Sequence, residues 1–249
     1  MGVAAILNAP LAPALVTAIV LVAGVLCFAF TLGYRYRFTG PLFALAFLWL
    51  TSYRNSWGHV SHGDNLAVLH VLILAFAPAA DALSLDASRH SVSSGWSPRY
   101  GWPLRLIAVT TAVTYVLAGW AKLHFGGVAW LGGDVVRLQV AFDGLRKSRF
   151  GLTPSPLASA LLPHPWAFAP VAVATLAIEL GAPIALLGRR LAALWTLAIW
   201  SLHLGIAVLM TLVFAYPLSL VAFVALFRSE RVLAWFRQYW RRRRSTSAP

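Results

Sequence analysis

A lysine near the end of a long apolar run is the residue of this sequence best placed to do chemistry inside a membrane. The run reads YVLAGWAKLHFGGVAWLGG over residues 115–133, where Lys122 lies between Trp120 and Trp130 and is followed by glycines. An ionisable group at the bilayer centre costs on the order of 2.5–3.5 kcal/mol, so its presence needs a reason. A desolvated amine can lose its charge and act as a base. Alternatively, the flexible stem of Lys122 extends to the membrane surface and keeps the charge in water.

The residues that precede Lys122 predict which way it points. Thr111 and Tyr115 are separated by four residues, and Lys122 follows Tyr115 by seven, so a helix places all three on one face. We expect that face to point into a helix bundle. Tyr115 and Trp130 would then provide the aromatic walls of a substrate pocket.

A second polar group comes from the segment NSWGHVSHGDNL, residues 55–66. His59 and His62 have a spacing that suits a metal, but two histidines without a third ligand do not predict a metal site. His62 opens the third apolar segment and Lys122 closes the fourth, so both emerge on the same side of the membrane. We therefore predict His62 as the catalytic partner of Lys122, and we predict that Trp57 and Asn65 line the pocket.

A second pair is predicted from the hairpin around residues 189–190. Glu179 lies about ten residues before this turn and His203 about thirteen after it, which gives depths of roughly 16 and 20 Å. The two side chains could therefore touch. A structural hydrogen bond and a proton relay both explain such a pair, and the sequence leaves the two open.

The elements that must position these residues are membrane helices. Of the 249 residues 60% are hydrophobic and only 11% are charged, which excludes an ordinary soluble domain. We predict an all-α, polytopic integral membrane helix bundle with about six to seven transmembrane helices. The candidate spans are residues 11–33, 41–57, 64–80, 103–123, 166–187, 191–213 and 214–228. The last is interrupted by Tyr216-Pro217 and could be re-entrant or interfacial.

The charges predict the orientation and the partners. With the N-terminus outside, one set of loops receives 14 of the 20 basic residues and the other receives 6, so the C-terminus is predicted to be cytoplasmic. Residues 1–228 would form the bundle and residues 229–249 a basic interfacial and disordered tail that meets anionic lipid headgroups. The lipid bilayer and a lipophilic small molecule are the other expected partners, and nucleic acid is not. Cys27 is the single cysteine, so no thiolate metal site is predicted.

Three stretches of this sequence resemble, in order, the membrane region of the HTTM family, which includes the vitamin K-dependent gamma-glutamyl carboxylase. They are the segment beginning SWGHVSHGDNL, the run YVLAGWAKLHFGGVAWLGG and the segment WTLAIWSLHLGIAVLM. The sharpest element is an aromatic-x-x-A-G-x-x-K-L motif followed by W-[LV]-x-G. It comprises Tyr115, Ala118, Gly119, Lys122, Leu123, Trp130, Leu131 and Gly133.

The resemblance implies roles for three residues. Lys122 matches the base associated with oxidation of a reduced quinone, His62 matches the histidine of the quinone site, and His203 matches a histidine of the later membrane helix. A reduced quinone is the cofactor that this implies. The carboxylase carries a large lumenal portion after its membrane helices, whereas residues 229–249 are a basic tail, so the resemblance covers the membrane region and leaves peptide carboxylation open.

Two classes of function remain open. In the first, the protein is a membrane enzyme, of the lyase or oxidoreductase type, in which Lys122 is a base acting on a quinol-like, lipid-soluble substrate. In the second, it is a non-catalytic membrane partner or lipid-binding protein in which Lys122 is a headgroup anchor. A DoxX-like quinone reductase would need a dithiol from a partner. A transporter would be expected to show an inverted repeat, and the sequence shows none.

Overall fold

The computed structural model describes residues 2–56, 62–89 and 98–227, and within this part every regular element is helical. The α-helices are α1 (Pro13–Thr31), α2 (Tyr36–Ser56), α3 (His62–Phe76), α4 (Gly101–Leu131), α5 (Asp134–Arg149), α6 (Pro156–Leu161), α7 (Phe168–Leu180), α8 (Arg189–Met210) and α9 (Ala215–Leu218). Short 3₁₀ helices occupy Gly2–Ile6, Ala87–Arg89, Pro98–Tyr100, Pro165–Ala167, Ala182–Leu186 and Val221–Leu226. The all-α prediction is confirmed for the described residues.

Three helices in this part, α1, α4 and α8, are long and apolar enough to cross a membrane. Helices α3 and α7 are apolar but shorter, with 15 and 13 residues. The count of six to seven spans therefore stays a prediction. The predicted basic tail, residues 229–249, lies outside the described residues, as does the orientation that its charge implies.

Two predicted spans are broken where the sequence carries helix-breaking residues. The span at 166–187 is α7 only as far as Leu180, after which Pro183 lies in a 3₁₀ turn because proline has no N–H to continue an α-helix. The span at 214–228 is not a continuous helix either. It consists of the four-residue α9, which contains Pro217, and a 3₁₀ helix that begins after Leu220 at φ 64°.

The chain divides into two compact units, residues 1–110 and residues 111–249. In the first, α2 packs against both α1 and α3. Gly40 allows this approach, because a Cβ there would lie 3.0 Å from the backbone oxygen of Ala75. Asp86 caps α2 by accepting hydrogen bonds from the backbone N–H groups of Arg35 and Tyr36, at 3.0 and 2.8 Å.

The second unit contains most of α4 and all later elements. Its buried residues recur at helical spacing, as in the series Ala192, Trp195, Thr196, Ile199 and His203 along α8. Helix α4 departs from helical geometry at Gly127, where φ is 53° and ψ is −145°. The chain therefore changes direction between Lys122 and Trp130, and this bend decides where the tryptophan ring lies.

Candidate functional site

The amine of Lys122 and the carboxylate of Glu179 form an ion pair between α4 and α7. The Lys122 Nζ lies 2.7 Å from Oε1 and 2.7 Å from Oε2 of Glu179, so one ammonium donates to both oxygens. The backbone oxygen of Ala118, one turn earlier in α4, accepts a third and longer hydrogen bond at 3.5 Å. The two charge-assisted hydrogen bonds of 2.7 Å to Glu179 are of a kind that is among the strong interactions of proteins.

A glycine allows the two helices to come this close. Gly119 lies one turn before Lys122, and a Cβ there would lie 2.9 Å from Cγ of Leu180 and 3.1 Å from Cβ of Glu179. Any larger residue would therefore push the end of α7 away from α4. The A-G-x-x-K spacing of the sequence places the contact glycine and the lysine on the same helical face.

The local electrostatics explain why Glu179 needs a cation. Glu179 lies in the last turn of α7, which ends at Leu180, and the C-terminal end of a helix carries partial negative charge. Its side chain is also 8% exposed, so water does little to stabilise the carboxylate. The Lys122 ammonium offsets both effects. The Lys122 side chain is 24% exposed, so the lysine is the less deeply buried partner of the pair.

Trp130 lies next to the Lys122 amine. The Lys122 Nζ is 5.6 Å from the centroid of the tryptophan ring, within range of a cation–π interaction. Trp130 itself is buried and packs against Ala172 and Leu176 of α7. The bend at Gly127 thus returns the chain so that the aromatic face covers the amine.

A second polar pair lies deeper in the same unit. The Tyr115 hydroxyl and Nε2 of His203 are 2.9 Å apart, and both residues are at least nine-tenths buried. The Tyr115 ring also makes an edge contact with Trp195, with ring centroids 5.3 Å apart. Trp195 donates from Nε1 to the backbone oxygen of Ile178 at 2.9 Å. This hydrogen bond connects the aromatic contact to α7, at the residue before Glu179.

The two pairs influence each other electrostatically. Tyr115 lies in the field of the Glu179 carboxylate, and His203 lies in the field of the Lys122 ammonium. Charges act over longer distances in a poorly solvated interior than in water. A proton gained or lost at the Lys122–Glu179 pair (the outer pair) therefore changes the electrostatic potential at the Tyr115–His203 pair (the inner pair).

Two buried nitrogens of this region have no hydrogen-bond partner among the described residues, Nδ1 of His203 and Nε1 of Trp130. Buried polar atoms are usually satisfied, so an orphaned N–H donor is where a ligand oxygen gains a hydrogen bond. If the reduced quinone implied by the sequence resemblance binds here, Lys122 and Trp130 are the residues that would hold it, and it would supply an acidic hydroxyl and two exchangeable electrons.

The family model of the HTTM domain matches residues 5–231. The chain belongs to the HTTM family. This domain is a membrane domain of the carboxylase type, and the match confirms the family predicted from the motif around Lys122. Comparisons of the HTTM chain with curated proteins and with solved structures gave no match.

The structure places the predicted residues of the HTTM chain in different environments. Tyr115, Lys122, Trp130, Glu179 and His203 all lie in the second unit and are connected by the contacts described above. They form pairs that the sequence did not predict: Glu179 contacts Lys122, and His203 contacts Tyr115.

The residues predicted near the start of α3 remain untested as site residues. Trp57 and His59 lie outside the described residues, and His62 is described only as the first residue of α3. Asn65 is an exposed residue of α3 in the first unit. Among the described residues, no group of three His, Cys, Asp or Glu side chains could hold a metal ion.

Sequence reasoning missed a second buried ion pair of the HTTM chain. Within α5, Lys147 donates to Asp143 and also to the backbone oxygen of Met210, the last residue of α8. The side chains of Lys147 and Asp143 are 10% and 7% exposed. Their i, i+4 spacing was the available signal, but it lies in a stretch that resembles a surface helix. The pair caps the C-terminal end of α8 at Met210, seven residues after His203.

Proposed function

We propose that this HTTM protein is a membrane enzyme in which Lys122 accepts a proton from a lipid-soluble, quinol-like substrate. The observation that supports the proposal most directly is the position of Nζ, held 2.7 Å from both oxygens of Glu179 on a side chain that remains partly exposed. An amine that is held in one position, on a side chain that is not fully buried, supports the proposal that it accepts a proton from a bound substrate.

Glu179 gives the amine a route to its neutral form. In a poorly solvated pair, the proton between Nζ and the carboxylate can reside on either partner, because two opposite charges lose their hydration there. When the proton is on Glu179, rotation about the Cε–Nζ bond turns the single electron pair of Lys122 away from the carboxylic acid and toward the substrate. The substrate hydroxyl then gives its proton to Nζ, and the newly formed ammonium remains beside the Glu179 oxygens.

Trp130 stabilises the product of this step. The ammonium that forms on Lys122 lies 5.6 Å from the indole centroid, and a π face attracts a cation more than it attracts a neutral amine. Such an interaction is about 0.5–2 kcal/mol in favour of the protonated form. The orphaned Nε1 of the same residue is available to orient a substrate oxygen.

Replacing Lys122 with arginine tests the base directly. Arginine keeps the positive charge and can still pair with Glu179, but it stays protonated and cannot accept a proton. The purified full chain in a mild detergent is given a reduced short-chain naphthoquinone, and oxidation of this quinol by dissolved dioxygen to quinone and hydrogen peroxide is followed. We expect the Lys122→Arg variant to be slower by about 100-fold or more.

His124→Gln is the matched control for this experiment. His124 is an exposed ionisable residue two positions after Lys122, and its ring stacks on Trp120 rather than on the ion pair. We expect it to keep the wild-type rate within about twofold. Equal rates for wild type and Lys122→Arg would refute the lysine base.

The bidentate contact also favours a second candidate function. An ion pair that satisfies both partners is what a purely structural role would require, and the protein would then be a non-catalytic membrane partner or a lipid-binding protein. In that case Lys122→Arg folds and behaves like the wild type, and a partner protein or phospholipid co-purifies with it. Mass spectrometry of the small molecules that co-purify separates the two candidates, because only the first predicts a quinol or quinone.

A further inference from the structure

A cavity of about 610 Å³ lies within the first unit. It is bordered by the start of α2, the end of α3 and the first turn of α4. Cavities that hold small molecules have volumes on the order of 300–1,000 Å³, so this one is large enough for a ligand. Its apolar lining includes Phe76, which is 70% exposed, and Trp102, which is 42% exposed.

The two carboxylates of the cavity already have partners. Asp86 accepts hydrogen bonds from backbone N–H groups at the start of α2. Asp81 lies 3.2 Å from the guanidinium of Arg99 and 3.0 Å from the hydroxyl of Tyr100. The hydrogen bond to Asp81 raises the pKa of Tyr100, so the tyrosine stays a neutral donor. The negative charge of the lining is therefore largely compensated from within.

The two arginines that line the cavity differ in this respect, because Arg99 pairs with Asp81. Arg37 lines the cavity, is exposed, and forms no ion pair with any residue that the structure describes. Arg99 adds a second guanidinium whose side chain is 64% exposed. Guanidinium groups match the oxygens of phosphates in bidentate geometry, which makes them a good counterpart for a phosphodiester.

The lining complements an anionic amphiphile, because guanidinium groups lie beside exposed aromatic side chains. Trp and Tyr side chains typically occupy the headgroup level of a membrane, and Tyr36 and Trp102 both line the cavity. The orientation predicted from the basic residues places the loop that contains Asp81 on the cytoplasmic side. Anionic phospholipids concentrate in that leaflet.

We propose that this cavity binds the phosphate headgroup of an anionic phospholipid, with the phosphate at Arg37 and Arg99 and the acyl chains along Phe76 and Trp102. The site is independent of Lys122 and of the proposed reaction. It would give the first unit a selective lipid contact at the membrane surface.

Two arginines two residues apart make a matched test. The full chain in a nonionic detergent is titrated with dioctanoyl phosphatidylglycerol, and the bound lipid is counted by native mass spectrometry. Arg37→Gln removes the cavity cation, and we expect binding about tenfold weaker. Arg35→Gln removes an exposed arginine whose guanidinium lies over Tyr34, 5.7 Å from the ring centroid, and does not line the cavity. It should bind like the wild type, and any contribution of the basic tail is the same in both variants.

Two further measurements identify the ligand. Dioctanoyl phosphatidylcholine, which has a phosphate but no net charge, should bind more weakly than phosphatidylglycerol. Inorganic phosphate should not displace the lipid, because it lacks the acyl chains that contact Phe76 and Trp102. Equal binding of the two arginine variants would overturn the site. Equal binding of the two lipids would overturn the anionic preference, and ready displacement by inorganic phosphate would overturn the lipid assignment.

Discussion

Lys122 and Glu179 are bound to each other with both carboxylate oxygens 2.7 Å from one nitrogen, and the glutamate is the more deeply buried of the two. The pair connects the long helix α4 to the end of α7. Lys122 is therefore not an isolated neutral amine among apolar side chains. The amine has a specific acidic partner, and the chemistry proposed for it depends on how the two share a proton.

The first prediction concerns the energetic coupling of this pair. Lys122→Met leaves the Glu179 carboxylate buried without a cation, and Glu179→Gln leaves the ammonium without an anion. We expect each change to lower the free energy of unfolding by about 1–3 kcal/mol. The double variant should cost less than the sum of the two, because neither charge is then left alone. Reversible unfolding in mixed micelles measures all three.

An exposed ion pair provides the control. Arg54 pairs with Asp64 in the first unit, and their side chains are 59% and 30% exposed. Arg54→Gln should change the free energy of unfolding by less than about 1 kcal/mol, because solvent screens such pairs. Strict additivity of Lys122→Met and Glu179→Gln would show that the two groups do not interact in the folded protein.

The second prediction concerns the contact that brings α4 and α7 together. Gly119→Ala places a Cβ 2.9 Å from Leu180 and 3.1 Å from Glu179, so the helices must separate. Overpacking of this kind costs about 1–3 kcal/mol. Gly205→Ala is the matched change in α8, where nothing lies within 4 Å of the new Cβ. It should stabilise the protein by about 0.5–1 kcal/mol through helix propensity, and thermal unfolding of the two variants should therefore shift in opposite directions.

The third prediction concerns the inner pair. Tyr115→Phe keeps the ring contacts with Trp195 and Phe223 but removes the hydroxyl that lies 2.9 Å from His203. The free energy of unfolding should fall by about 1–3 kcal/mol, because a buried imidazole nitrogen loses its partner. Tyr100→Phe removes an exposed hydroxyl and should leave the free energy of unfolding close to the wild-type value. Equal effects of the two changes would mean that the Tyr115–His203 hydrogen bond contributes nothing to stability.

The sequence predicted which side chains face the interior of the bundle better than it predicted which side chains touch. Periodicity placed Thr111, Tyr115 and Lys122 on one face, and Thr111 and Tyr115 are buried while Lys122 is partly buried. The number of residues between each side chain and the turn at 189–190 placed Glu179 and His203 at similar depths in the membrane. However, depth along a helix does not fix rotation about its axis or identify the neighbouring helix, so the pairing came out differently. Gly119 carried the missing information, because a small residue one turn from Lys122 marks where another helix approaches.

The breaks in the later helices were also only partly predictable. Pro217 gave reason to doubt a seventh span, and the structure has no continuous helix there. By contrast, the end of α7 at Leu180 depends on Gly181 and Pro183 acting together, within a segment whose hydropathy alone predicts a complete span. Backbone constraints of single residues outweigh average hydropathy at such points.

The fourth prediction concerns the buried pair that the sequence did not reveal. Lys147→Met removes the ammonium that donates both to Asp143 and to the backbone oxygen at the end of α8. We expect the free energy of unfolding to fall by about 3–5 kcal/mol, because a buried carboxylate loses one of its cations and a helix end loses its cap. Arg149→Met, in the same helix, removes an exposed cation that forms no ion pair with any described residue. That change should stay within about 0.5 kcal/mol of wild type, and a loss as large as that of Lys147→Met would contradict the specific role of Lys147.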